Sequence, residues 1–156
     1  MPLTTGTAIA DLLNSARIIA IVGASNRPDR SSYGVMAFLQ NHGYRVIPVN
    51  PAIAGQQLLG EYVQHSLAHL GVPVDVVDIF RRSDAVGPIV DEAISIGAKA
   101  IWMQLGVVDP KAAARAEAAG LQVLVDRCPK IEIGRLGIAR PNRVRMPSGD
   151  AAPPAP

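Results

Sequence analysis

Three polar segments carry the side chains of this sequence that are best suited to hold an anion. The first begins with Gly23 and contains the hydroxyls of Ser25, Ser31 and Ser32 and the guanidinium group of Arg30. A helix is predicted to begin near Ser32, and free backbone N–H groups at a helix start attract phosphate. The segment therefore predicts a phosphate site, although it matches neither of the two common glycine-rich nucleotide motifs. A strand-to-helix turn with solvated arginines is the alternative.

The second segment is a pair of arginines, Arg81 and Arg82, set between Phe80 and Ser83. Arginine binds phosphate through a planar fork of N–H donors, and a helix is predicted to begin just after Ser83. These four residues therefore predict a second anion-binding turn. A solvent-facing arginine pair without a ligand is the alternative.

The third segment is Gln104, Leu105 and Gly106, at the end of another apolar run. Gly106 would let a ligand approach the backbone closely, and Gln104 offers both a donor and an acceptor. We expect this segment to form a further wall of the same site.

The turn at Val49, Asn50 and Pro51 bears on the type of nucleotide. Enzymes that use NAD place an Asp or Glu at the end of the second strand, and NADP favours an arginine there. Neither is present, which argues against an NAD(P)-dependent oxidoreductase but leaves it as an alternative. Asn50 could bond a sugar or a base edge and Pro51 could pack against a ring. An Asn-Pro pair also initiates turns without any ligand.

Other chemistries find little support in the sequence. His65 and His69 are four residues apart but have no third ligand nearby, which argues against a metal site. Asp75 and Asp78 have odd spacing in a predicted strand, so they should point to opposite faces rather than act as an acid–base pair. Cys128 is the only cysteine, which excludes an internal disulfide framework and favours a cytoplasmic location.

Apolar, β-branched runs and the helical patterns between them must position these segments. The predicted strands are residues 18–22, 45–49, 74–80, 100–105 and 121–125. The predicted helices are residues 7–16, 32–42, 84–96 and 109–119, with one or two turns over 64–70. This alternation predicts an α/β fold, a doubly wound, Rossmann-like parallel sheet of about five strands in the order 3-2-1-4-5. Ligands bind at the carboxyl ends of such strands, where the four turns would meet.

Length and composition indicate one domain with a tail. The chain has 156 residues, of which 49% are apolar and 18% charged, with a net charge of +2. Residues 1–137 are predicted to form the domain, and residues 138–156 a basic, Pro/Ala-rich, disordered tail. The small net charge and the few aromatic residues argue against a nucleic-acid partner. No run of about 18 apolar residues is present, so no membrane span is expected.

Five segments stand out in chain order: Ile-Val-Gly-Ala-Ser at 21–25, Val-Ile-Pro-Val-Asn-Pro at 46–51, Asp-Ile-Phe-Arg-Arg-Ser at 78–83, Trp-Met-Gln-Leu-Gly at 102–106 and Asp-Arg-Cys-Pro-Lys-Ile-Glu at 126–132. Together they resemble small bacterial and archaeal CoA-binding domain proteins, stand-alone relatives of the CoA-binding domain of the succinyl-CoA synthetase α subunit. The resemblance spans about residues 14–137 and implies coenzyme A as the ligand.

The resemblance implies a place for each part of coenzyme A. The pyrophosphate would lie against residues 23–25, the adenosine would border residues 49–51, and the pantetheine arm would pass residues 104–106. Arg81 or Arg82 would meet a phosphate. The implied cofactor-binding residues are Gly23, Ala24, Ser25, Arg30, Ser31, Val49, Asn50, Pro51, Phe80, Arg81, Arg82, Ser83, Gln104, Leu105, Gly106 and Cys128.

The resemblance further implies a protein that binds CoA or acyl-CoA without catalysis of its own, with no catalytic residue and no metal. The alternative is a component of an ADP- or GDP-forming acyl-CoA ligase that works with a separate ATP-grasp subunit. A protein partner or a homodimer stays open. Cys128 is expected on the ligand side, where it could form a mixed disulfide with CoA; a half-buried structural thiol is the alternative.

Overall fold

A computed structural model describes residues 1–140 of the chain. In this range helices and strands alternate, with short 3-10 turns at Pro51–Ile53, Leu67–His69 and Ser83–Ala85. The helices are α1 (Gly6–Ser15), α2 (Ser31–Asn41), α3 (Val86–Ser95), α4 (Pro110–Ala118) and α5 (Pro129–Leu136). The strands are β1 (Ile18–Val22), β2 (Arg45–Val49), β3 (Gln57–Leu58), β4 (Glu61–Tyr62), β5 (Val76–Ile79), β6 (Ala100–Met103) and β7 (Gln122–Leu124).

The main sheet has five parallel strands in the order β2-β1-β5-β6-β7, and β3 and β4 form a separate antiparallel hairpin. The strands of the main sheet are buried apart from the first residues of β1, β2 and β7, as expected for strands covered by helices on both faces. The predicted α/β, Rossmann-like class is therefore confirmed.

The predicted strand order is wrong at one position. Counting only the five main strands, the order is 2-1-3-4-5, because β5 pairs with β1 and not with β2. The chain after β4 already occupies the free edge of β2: Gln64 N donates to Pro48 O, and Asn50 N donates to Gln64 O, each at 2.9 Å. The next strand must therefore cross to the other side of β1. This moves the point where strand order reverses to the gap between β1 and β5, which places their two loops side by side.

The start of β5 is fixed to the start of β1 by Asp75. Its Oδ2 accepts hydrogen bonds from Arg17 N at 2.8 Å and from Ile18 N at 2.9 Å, and its Oδ1 lies 3.5 Å from Lys99 Nζ. Asp75 therefore lies just before β5, at the amino edge of the sheet. The predicted ligand site is at the opposite, carboxyl edge. The role of Asp75 here is to align two strands.

Two apolar layers cover the sheet. One packs α1, α2 and α5 against Trp102 and its neighbours, with Ile9, Met36 and Ile133 as buried contacts. The other packs α3 and α4 against the opposite face. No helix among residues 1–140 has the length and hydropathy needed to cross a membrane.

Helix α5 was not predicted. Pro129 occupies its first turn, and Gly137 ends it in the left-handed conformation with φ of 65°. Proline at a helix start and glycine at its end are common at helix boundaries. The segment between them is short and has few apolar residues, so its pattern does not predict a helix. Ile138 is also buried, and its carbonyl oxygen lies 2.9 Å from His42 Nε2, so the packed domain reaches past residue 137. The predicted disorder of the tail falls on residues 141–156, outside the described residues.

Candidate functional site

A cavity of about 240 Å³ lies at the carboxyl edge of the sheet, between the loops that follow β1, β5 and β6. Eight of the sixteen predicted binding residues come together around it, with Ser32 of the predicted phosphate segment and with Val107. Val107 is apolar and buried, and nothing in its sequence context marked it. The lining residues are Gly23, Ser25, Arg30, Ser31, Ser32, Phe80, Arg81, Gln104, Leu105 and Val107.

Gly23 allows the loops after β1 and β5 to touch. Its φ is +91°, and its N–H donates to Val49 O at 2.9 Å, so the chain turns sharply off the strand. A Cβ at this position would overlap Phe80 O and lie 2.9 Å from Arg81 Cδ. Only glycine fits both the backbone conformation and the space.

The start of α2 supplies backbone donors to the cavity. Arg30 is the N-cap residue and makes no side-chain cap hydrogen bond. The first N–H groups of a helix have no intrahelical acceptor, so the amides of Ser31 and Ser32 are free to bind a ligand. Ser32 is buried, with 5% of its surface exposed, and it also lines the cavity. The helix start therefore presents amides, hydroxyls and a positive dipole end to the same space.

The arginine pair is split by the structure. Arg81 lines the cavity, whereas Arg82 extends outward and lies 3.3 Å from Asp84. Neither Arg81 nor Arg30 forms an ion pair with a carboxylate in residues 1–140, and the cavity lining contains no carboxylate. The two guanidinium groups therefore give the cavity an uncompensated positive charge that suits an anion.

The turn after β2 lies beside the cavity and holds the loop after β1 in place. Asn50 Oδ1 accepts from Ala52 N at 2.9 Å, and Asn50 Nδ2 donates to Ala24 O at 2.8 Å. Both ends of its side chain are thus engaged in holding the loops after β1 and β2 together. Val49 and Ala24 are buried, and Pro51 is exposed in the 3-10 turn that follows. These residues lie beside the cavity and do not line it.

Ser83 and Gly106 connect the loops after β5 and β6. Ser83 Oγ accepts from Val108 N at 2.9 Å and donates to Gly106 O at 3.4 Å. Gly106, with φ of +80°, donates its N–H to Asp126 Oδ1 at 2.7 Å. Ser83 and Gly106 are therefore committed to fixing the outer wall, and they too lie outside the lining.

Cys128 does not line the cavity. It is buried, with 5% of its surface exposed, and lies at the start of α5 against the apolar layer of α1 and α2. The two nearby cations have other partners: Arg127 lies 3.5 Å from Glu132, and Lys130 lies 5.6 Å from the ring centre of Phe38. This position matches the structural-thiol alternative more closely than a thiol that faces a ligand.

The two neighbouring histidines also lie apart from the cavity. The rings of His65 and His69 meet edge to face at 6.0 Å, and His69 Nδ1 lies 2.7 Å from Ser66 Oγ. Within residues 1–140, no group of three or more His, Cys, Asp or Glu side chains is placed to hold a metal ion.

Comparison with known proteins assigns the chain to a family. Residues 17–134 match the family model described as CoA binding domain. The YneT protein of Bacillus subtilis (strain 168) is 37% identical over 123 residues, which cover 79% of this chain and 90% of YneT. A solved structure of a hypothetical protein from Pyrococcus horikoshii OT3 is 35% identical, with a TM-score of 0.82, over 87% of this chain and 96% of that one.

A similar domain occurs within a larger enzyme. A dinucleotide-forming acetyl-coenzyme A synthetase of Candidatus Korarchaeum cryptofilum matches with 25% identity and a TM-score of 0.63. The match covers 73% of this chain but only 27% of that enzyme. The extent of the family match, together with the identity to YneT over most of both chains, shows that this chain belongs to the CoA binding domain family.

Proposed function

We propose that this protein binds coenzyme A or an acyl-CoA, with phosphate groups of the ligand in the cavity between the loops after β1, β5 and β6. The observation that carries the proposal is the chemistry of the lining. Two arginines without carboxylate partners among residues 1–140, the uncapped start of α2 and three serine hydroxyls surround one space. Such a set of donors suits the oxygens of a phosphate or a pyrophosphate.

The volume of the cavity indicates which part of the ligand it would hold. Pockets that enclose a whole drug-sized ligand usually measure ~300–1,000 Å³. A cavity of about 240 Å³ is below that range. It therefore suits the phosphate groups, while the adenosine and the pantetheine of the ligand would extend along its rim. The adenosine would lie toward Asn50 and Pro51, and the pantetheine toward Leu105, half of whose surface is exposed (54%).

We propose binding without catalysis by this chain alone. The cavity lining, as residues 1–140 form it, holds no carboxylate, histidine or cysteine, which are the side chains that most often transfer protons or form covalent intermediates. The alternative, a component of an acyl-CoA ligase, draws support from the similar domain within the acetyl-coenzyme A synthetase. It predicts that a separate ATP-using subunit would co-purify with the protein and that the complex would turn over ATP.

Calorimetric titration with CoA tests the proposal, and the arginine pair offers a matched control. Arg81→Ala should weaken CoA binding by about tenfold to a hundredfold, since a hydrogen bond to a charged group contributes ~1.5–3 kcal/mol. It should also reduce the dependence of affinity on salt. Arg82→Ala removes the same charge one residue away, outside the lining, and should change affinity by less than about threefold.

The choice of ligand separates the proposal from its alternatives. Dephospho-CoA, which lacks the 3′-phosphate, and NAD are titrated under the same conditions. Tighter binding of NAD than of CoA would favour the oxidoreductase alternative. If Arg81→Ala and Arg82→Ala lost the same amount of CoA affinity, the cavity would not be the binding site. The arginines would then act only through a general attraction between charges.

A further inference from the structure

Two residues of the described chain, Asp78 of β5 and the cavity residue Gln104, contain buried polar side-chain atoms that lack a partner. Among the side chains of residues 1–140, both carboxyl oxygens of Asp78 and Oε1 of Gln104 are buried without a hydrogen bond. Asp78 is fully buried, and Gln104 has 6% of its surface exposed. An unsatisfied buried polar atom costs about 1–3 kcal/mol, so three of them on two neighbouring residues require an explanation.

The sheet places these two side chains on the same face. Asp78 of β5 is paired with Ile21 of β1 on one side and with Trp102 of β6 on the other. Gln104 follows Trp102 by two residues, and its N–H donates to Ile79 O at 3.3 Å, so the strand pairing continues to it. Side chains two residues apart in a strand share a face.

The spacing of the strands brings the two groups within reach. A rise of ~3.3 Å per residue and a strand separation of ~4.8 Å put the Cα atoms of Asp78 and Gln104 about 8 Å apart. A carboxyl and a longer amide side chain directed toward each other can bridge that distance. The strand neighbours on either side of Asp78, Ile21 and Trp102, offer no charge to balance a carboxylate.

The protonation state of Asp78 decides whether its carboxyl group can form a hydrogen bond with Gln104 Oε1. A carboxylate and an amide oxygen are both acceptors and cannot pair, whereas a neutral carboxylic acid carries one donor. Burial raises the pKa of Asp78 well above its usual range. A neutral acid at this position can therefore donate to Gln104 Oε1.

We propose that the carboxylic acid of Asp78 donates a hydrogen bond to Gln104 Oε1 and so holds the amide nitrogen of Gln104 toward the cavity. The amide oxygen is already turned into the protein, and Gln104 lines the cavity. With the amide fixed in this orientation, Gln104 adds an N–H donor to the guanidinium groups, amides and hydroxyls of the cavity, and the site favours a ligand with acceptor oxygens. If the amide turned over, an acceptor would face the anion. Asp78 is thus a positioning residue that acts through Gln104 and sets the selectivity of the site for phosphate.

A measurement on the ligand-free protein tests the bond itself. Carbon-13 NMR of aspartate-labelled protein, with the Asp78 signal assigned from the Asp78→Asn variant, reports whether this carboxyl is protonated at pH 7. We expect a protonated carboxyl whose signal shifts in Gln104→Leu. An ionised Asp78 at pH 7 would overturn the proposal, and so would an Asp78 carbon signal that is the same in Gln104→Leu as in the wild type. This result does not depend on the identity of the ligand.

A double-mutant cycle with CoA as the probe tests the effect on binding, and it rests on the proposed function. Asp78→Leu should weaken CoA binding by roughly tenfold. This loss corresponds to about one hydrogen bond from the Gln104 amide to a charged phosphate group. Asp78→Asn keeps a donor and should retain most of the affinity that Asp78→Leu loses. In the Gln104→Leu background, Asp78→Leu should cause no further loss, because its effect passes through Gln104.

The outcomes separate the two levels of the argument. An equal loss from Asp78→Leu with and without Gln104 would show that Asp78 acts independently, and it would refute the positioning role. A wild-type protein that binds no CoA would refute the proposed function, while the NMR measurement would still decide the bond. If Asp78→Leu does not fold, Asp78→Asn and the NMR result carry the test.

Discussion

Gly23, at the end of β1, tests how closely the loops after β1 and β5 are packed. An alanine there would place a Cβ over Phe80 O and 3.0 Å from Phe80 C, against backbone atoms that cannot rotate away. It would also hold a non-glycine residue at a φ of +91°. The variant Gly23→Ala should therefore lose stability and displace the wall that carries Arg81.

The size of the effect follows from two contributions. The left-handed backbone costs a non-glycine residue about 1–2 kcal/mol. Overpacking against a fixed neighbour adds ~1–3 kcal/mol. The sum is roughly 2–5 kcal/mol, and at ~2–4 °C per kcal/mol for a chain of this size the melting temperature should fall by roughly 4–20 °C.

Gly55→Ala is the matched control. Gly55 has nearly the same φ, +90°, but apart from its chain neighbours no atom of residues 1–140 lies within 4 Å of the position of an added Cβ. Urea denaturation of both variants should therefore show only the backbone contribution, ~1–2 kcal/mol, for Gly55→Ala. Calorimetry should show weaker CoA binding for Gly23→Ala alone. Equal losses of stability in the two variants would refute the close contact between the loops.

Two further predictions concern hydrogen bonds at and away from the site. Ser83→Ala removes the bonds that join the loops after β5 and β6, and should cost about 1 kcal/mol in urea denaturation and several-fold in CoA affinity. Ser95→Ala, on the exposed end of α3, is its control and should change neither. Burial raises the pKa of Tyr44, whose hydroxyl donates to Leu13 O at 2.6 Å, to about 12. The folded state then holds more protons than the unfolded state between pH ~10 and about 12, so stability should fall as pH rises through that window. Tyr44→Phe should lose this dependence, and an unchanged pH profile would contradict the assignment.

Local patterns in the sequence were enough to predict most elements and eight of the ten residues that line the cavity. The strands at 18–22 and 45–49 were predicted with the bounds that the structure has, because each is a continuous run of largely β-branched residues between polar breaks. The start of α4 was marked by Asp109 and Pro110, and Asp109 Oδ1 indeed caps Ala112 N at 3.0 Å. Residue types at strand ends also indicated an anion site, since the carboxyl ends of parallel strands meet at one edge.

The tertiary structure decided the relations between segments that are distant in sequence. The position of β5 beside β1 depends on Gln64 occupying the edge of β2, which no local pattern reveals. The structure also showed that Arg81 and not Arg82 faces the cavity, and that Cys128 is buried. The isolation of Asp78 among apolar strands is likewise a property of the assembled sheet. Side-chain type and spacing are encoded locally, but burial and pairing depend on which elements meet in space.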